Sequence, residues 1–329
     1  MQNIINGGML MATNFQISYT LDVLFYIECM LDEEKQRLFD EDIQRFMPML
    51  GTVSDKHLKK LSKIYKTCPQ MITNLVSIII GNEYLHTWNT EDLFDRHKHL
   101  IMAFKKSSSY KFANISLKRF ITGDYAKVMP SIKIIVSDLK RLEFQRYWLE
   151  EKLPLLKERT TEHEAKLNQF KIADFVNHWL INKKVPATDQ WYMLAYSDTW
   201  YLPVLNEYNL VSPLIRADEL FERVIDYGLL HNTYRTCFKT LKPDEFLKQE
   251  YKEHSEFKSF KNFNDYAVKC FKMALRILLM ENCGYKKAGV DGNYPLASEF
   301  LTYLREHPKP YSETPQTYLT VMAKSFSKK

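Results

Sequence analysis

The chain has 329 residues, 45% hydrophobic and 26% charged, which is enough apolar material for a sizeable core and excludes a disordered or low-complexity protein. Its formal charge of +6, from 46 basic and 40 acidic residues, is a mild excess for this length, so bulk charge does not assign a polyanionic partner. Only 9 glycines and 12 prolines interrupt 20 tyrosines and 20 phenylalanines, which excludes a turn-dense β architecture and favours long helices.

The first 16 residues are predicted to be a flexible N-terminus. The stretch MQNIINGGMLMATNFQ lacks a basic start before a long apolar run, so it does not read as a signal peptide. From residue 17 to about 125 the pattern predicts successive helices. SYTLDVLFYIECMLDEEKQRLF repeats apolar residues at three- and four-residue steps, and SDKHLKKLSKIYK sets Ser54 as a cap before a Leu58, Leu61, Ile64, Tyr65 stripe. NTEDLFDRHKHLIMAFKK starts at Asn89 or Thr90 and ends on two lysines, as the helix dipole favours. KKSSSYKFANIS, at 105–116, is polar and serine-rich and predicts a loop.

SIKIIVSD, at 131–138, fits a short strand or the start of the next helix. That helix is predicted from about Leu139 to Asn168, broken at Pro154, because proline lacks a donor and clashes with the preceding turn. IADFVNHWLIN predicts a shorter helix, and DQWYMLAYSDTWYLPVL is the clearest strand region. After Pro213 a helix is predicted to run to about Lys242. NDYAVKCFKMALRILLMENCG predicts a buried helix closed by Gly284, and helices at 295–306 and after HPKPYSETP complete the chain. The fold class is α+β, predominantly α.

The five cysteines, Cys29, Cys68, Cys237, Cys270 and Cys283, form no C-x-x-C pair and are expected as reduced thiols in a cytoplasmic protein. The longest apolar runs, LVSIII and ALRILLM, fall far short of a membrane span, so no membrane partner is expected.

The stretch RVIDYGLLHNTYR, at 223–235, is the first candidate for chemistry. A zinc-peptidase helix places two histidines at i and i+4 and a glutamate at i+1, giving one metal two nitrogens and its bound water a base. With His231 as the second histidine, Tyr227 takes the place of the first ligand and Gly228 that of the glutamate. A phenol must ionise from about 10 to bind zinc, and glycine transfers no proton. The bland reading is a buried stripe of Leu220, Val224, Gly228 and His231 with the imidazole hydrogen-bonded in a core.

The order of a helical N-terminal half, YWLEEKLPLL, the strand WYMLAYS, the helix RADELFERVIDYGLLHNTY and NDYAVKCFKMALRILLMENCG resembles the zincin-like, gluzincin-type metallopeptidases. The resemblance implies a zincin-like region with a small sheet over 126–329, behind a helical region at 17–125. It also implies a cleft lined by Tyr227, His231 and Asn232, with Asp265 near the position of a third ligand. No catalytic residue is then expected, and no cofactor; zinc, if held at all, would rest on His231. Function is read as a catalytically inactive relative acting in binding or regulation. One alternative is a live metallopeptidase with His231, His254 and Glu250 as ligands.

NEYLHTW holds Asn82 where a first histidine would stand. His97 and His99 are two apart and point away from each other on a helix, and His163 reads as part of a charged, exposed turn. Neither a glycine-rich phosphate loop nor a G-x-S-x-G elbow occurs. A further alternative is nucleic-acid binding through a basic stretch, Lys105, Lys106, Lys111, Lys118 and Arg119, interleaved with Tyr110 and Phe112. Shorter basic runs lie at 56–66 and in the final SKK.

Overall fold

A computed structural model describes residues 13–82, 90–169, 178, 189–198, 209–215, 263–282 and 294–326. Among these the chain is predominantly helical with a small sheet. It divides into two compact units: an N-terminal unit of residues 11–165 and 186–218, and a C-terminal unit of 1–10, 166–185 and 219–329. The region 126–329 is thus shared between them.

The N-terminal unit is organised around α1 (Tyr19–Leu31), capped by the Ser18 hydroxyl accepting from the Leu21 amide. Every residue from Leu21 to Met30 is buried, so this helix is enclosed on all sides and sits inside the others rather than on their surface. Tyr26, Phe46, Phe144 and Tyr196 form its aromatic surroundings, with the Tyr26 and Phe144 rings 4.4 Å apart and Tyr26 and Tyr196 5.0 Å apart. Helices α2 (Glu33–Leu38) and α3 (Asp40–Phe46) follow at once, the first capped by Asp32.

Helix α4 (Thr52–Thr67) buries Leu58 and Leu61, as its stripe predicted, and leaves its lysines outside. Its start is set differently from expectation. Gly51 is the N-cap, and Ser54 lies in the first turn, where both the Gly51 amide (2.6 Å) and Ser54 hydrogen-bond Asp138. A carboxylate from a distant helix therefore caps α4. Helix α5 (Met71–Ile80) ends at Gly81, where a Cβ would lie 2.7 Å from Phe104, so this glycine permits close approach to α7 (His97–Lys106).

The predicted helix at 89–106 is two: α6 (Thr90–Asp95) and α7, joined at Arg96. The serine-rich loop shrinks to a 3-10 turn at Ser108–Phe112 before α8 (Ile115–Gly123). SIKIIVSD is helical, inside α9 (Tyr125–Arg141). Val128, Met129, Ile132, Ile135, Val136 and Leu139 are buried at helical spacing, a period that a local apolar cluster conceals.

The long charged helix breaks at Glu143, whose φ of 59° is left-handed, and not at Pro154. After α10 (Phe144–Tyr147) and a π turn at Trp148–Lys152, α11 (Leu153–Gln169) carries Pro154 in its first turn. The helical backbone runs on from α10 through the π turn into α11, and the widened turn before Pro154 makes room for its ring and missing donor.

Strand β1 (Thr13–Ile17) lies in the stretch expected to be flexible. It pairs in parallel with β2 (Asp189–Leu194), which pairs in parallel with β3 (Asn209–Pro213). The register sets Phe15 opposite Trp191 and Trp191 opposite Leu210. Among the described strands the aromatic one is therefore in the middle, and Pro213 lies on an edge strand, which tolerates it.

In the C-terminal unit, the described residues form α12 (Phe263–Asn282), α13 (Pro295–Glu306) and α14 (Pro315–Phe326), matching three of the predicted helices. Phe300 packs edge-on against Phe271 of α12 and Phe326 of α14, with centroids 5.8 and 5.3 Å apart. Arg305 pairs with Glu281. Among the described residues, no helix is long and apolar enough to cross a membrane.

Candidate functional site

The basic stretch is assembled by local packing. Helix α7 ends on Lys105 and Lys106, where Ser107 returns its amide to Ala103 and Phe104. Helix α8 starts at an Asn114 cap that accepts from the Leu117 amide at 2.8 Å. Between them Tyr110 packs edge-on against Phe104, centroids 5.9 Å apart, with the Lys118 ammonium 5.8 Å above its ring. Tyr110 thus brings the end of α7 and the start of α8 to one place.

Lys98, Lys105, Lys106, Lys111, Lys118 and Arg119 are all exposed, and none takes part in an ion pair among the described residues. No aspartate or glutamate occurs from Arg96 to Gly123. The carboxylates bounding the stretch are already engaged, Asp95 with Lys133 at 2.7 Å and Asp124 with Lys127 at 3.4 Å. Exposed like charges with no acid nearby in sequence project a positive field, which favours anions.

Among the described residues the metal-type candidates do not converge. Tyr227, His231 and Asn232, with His254 and Glu250, lie outside the described residues. Asp265 sits half-buried in the first turn of α12. Asn82 is buried and donates to the Leu100 carbonyl at 3.2 Å, while His97 bonds the Phe94 carbonyl through Nδ1 at 3.0 Å. His99 is exposed. His163, read as part of an exposed turn, is instead buried in α11 beside Phe15, because the helix continues through the charged residues and turns this one inward. No group of three or more His, Cys, Asp or Glu side chains is placed to hold a metal among the described residues.

A buried polar centre escaped the sequence reading. Asp22, fully buried on α1, accepts from Trp148 Nε1 (2.8 Å) and from the amides of Ala195 (2.7 Å) and Tyr196 (3.3 Å). Burial pushes its carboxyl up to about 7 against the lowering effect of these bonds and of Lys152. Glu28, six residues on, is raised by burial and partly offset by Lys35, whose ammonium bridges Glu28 (2.8 Å) and Asp198 (3.0 Å). Asp42 pairs with Lys152 at 2.7 Å and accepts a short hydrogen bond from the Tyr147 hydroxyl. The available signal was two carboxylates inside the apolar run YTLDVLFYIECML. These groups lock α1, the π turn and the end of β2 together, with their charges met internally.

Cys29 and Cys270 are buried free thiols, their values pushed up by burial, and Cys68 is a half-buried one. None is activated as a nucleophile, since burial disfavours the thiolate.

Comparison with protein-family models, curated proteins and solved structures gives no match.

Proposed function

We propose that the chain is a non-catalytic binding protein whose N-terminal unit engages an anionic partner through α7, the 3-10 turn and α8. One observation supports this above others: six exposed cations, with Lys118 over the Tyr110 ring that packs on Phe104 of α7, have no acidic neighbour in sequence from Arg96 to Gly123. The test is retention on heparin. Affinity should fall steeply as salt rises, because a polyanion releases counterions to each cation it meets. A Lys105→Gln, Lys106→Gln, Lys118→Gln, Arg119→Gln variant should elute at much lower salt. Equal elution of the two proteins would remove the proposal.

The inactive zincin-like reading is a second proposal. It draws support from the presence of α12, with Asp265 in its first turn, where the resemblance calls for a late helix. On this reading Tyr227 occupies space that a metal fills in active relatives, and the purified chain carries no zinc. About one zinc per chain, lost on His231→Ala, would instead establish the live metallopeptidase.

A further inference from the structure

The geometry points to an anionic phospholipid surface as the partner of the α7–α8 face, an inference that rests on the anionic-partner reading above. On α7, Lys98, Met102, Lys105 and Lys106 fall at i, i+4, i+7 and i+8 and so share one helical stripe, and all four are exposed. On α8, Ile115, Lys118 and Arg119 fall at i, i+3 and i+4 and are likewise exposed. Met102 is 50% and Ile115 70% exposed, so each stripe sets a large aliphatic side chain among its cations.

That pairing suits a bilayer surface better than a nucleic acid. A phosphate polymer can match the cations but offers no hydrocarbon to methionine or isoleucine, whereas at a lipid surface the aliphatics enter below the headgroups while lysine stems keep their ammonium groups at phosphate level. A single nucleic-acid strand would instead need free aromatic faces. Tyr110, the described aromatic side chain of the basic stretch, is half-buried, set against Phe104 and covered by Lys118. A cluster of this many cations is also what anionic leaflets attract. The lack of a membrane-crossing helix among the described residues concerns spanning and does not bear on peripheral attachment.

The experiment is co-sedimentation of the full chain with vesicles of phosphatidylcholine alone or mixed with phosphatidylserine, run beside heparin and a single-stranded RNA at the same salt. Of the two vesicle types only the mixed one is expected to bind, heparin is expected to bind as well, and high salt should abolish both. A Met102→Ser, Ile115→Ser variant should lose roughly tenfold in vesicle affinity, from lost apolar burial, while keeping its heparin affinity. Both substitutions are at exposed positions, so the fold is not at stake. No binding to heparin would sink the anionic-partner reading itself. Heparin binding without vesicle binding, vesicle binding indifferent to the double variant, or tighter binding to RNA than to mixed vesicles would each overturn the lipid assignment and leave the broader reading standing.

Discussion

Replacing Asp22 by alanine tests the buried centre directly. The substitution leaves an indole N–H and two backbone amides without their acceptor in a site with no access to water. At about 1–3 kcal/mol for each unsatisfied buried donor, the loss is roughly 3–5 kcal/mol once partial relaxation is allowed. Its pH dependence has a definite sign. Because burial raises the carboxyl from 3.8 to about 7 on folding, the native protein retains a proton that the unfolded chain has released. Wild-type stability contributed by this group therefore falls as pH climbs through that window and is constant above about 7. The alanine variant lacks this dependence. Urea unfolding of both proteins at pH 5 and pH 8 should show the larger deficit at pH 5. A deficit that grows with pH would mean the three donors outweigh burial, and the reasoning would fail.

Lys35→Met removes the cation between Glu28 and Asp198 and should cost about 2–4 kcal/mol at neutral pH, since Glu28 is left buried without its counter-charge; the urea midpoint reads this, and a change under 1 kcal/mol would count against the bridge. Gly81→Ala places a methyl 2.7 Å from Phe104 and 2.9 Å from the Ser77 carbonyl, and should lower stability by about 1–3 kcal/mol in thermal unfolding, whereas a neutral outcome would show that α5 and α7 separate freely. The Tyr196 hydroxyl is buried with no hydrogen-bond partner among the described residues, so Tyr196→Phe should leave stability unchanged or raise it by up to about 1 kcal/mol, and a clear loss in the same assay would expose a partner for it.

Helices with a clean apolar stripe were legible from residues alone: α4 through Leu58 and Leu61, and α12 to α14 through their spacing. The aromatic strand at 189–194 was legible from its composition. Strand β1 was not, because TNFQI is short and its only described pairing partner is remote in sequence, which no local pattern records. The break at Glu143 was missed for a related reason. A left-handed glutamate has no turn residue to announce it, while Pro154 announces a break that the π turn before it absorbs. The exposure of Lys105, Lys106, Lys111, Lys118 and Arg119 followed from their pattern, but the seating of Tyr110 between Phe104 of α7 and Lys118 of α8 depends on tertiary packing. His163 shows the limit of reading burial from neighbours, since one helical turn sorts adjacent residues to opposite sides.

The parallel pairing of Thr13 with Asp189 also orders events during synthesis. The partner of β1 is 176 residues later (189 − 13), so at about 5–20 residues per second the nascent chain waits roughly 10–35 s between the two. Throughout that interval Phe15 and Ile17 stand without their neighbouring strand while the ribosome lays down α1 to α11. The helices can gather first, but β1 finds its place only when the centre of the sheet emerges, and the growing polypeptide carries an open strand edge until then.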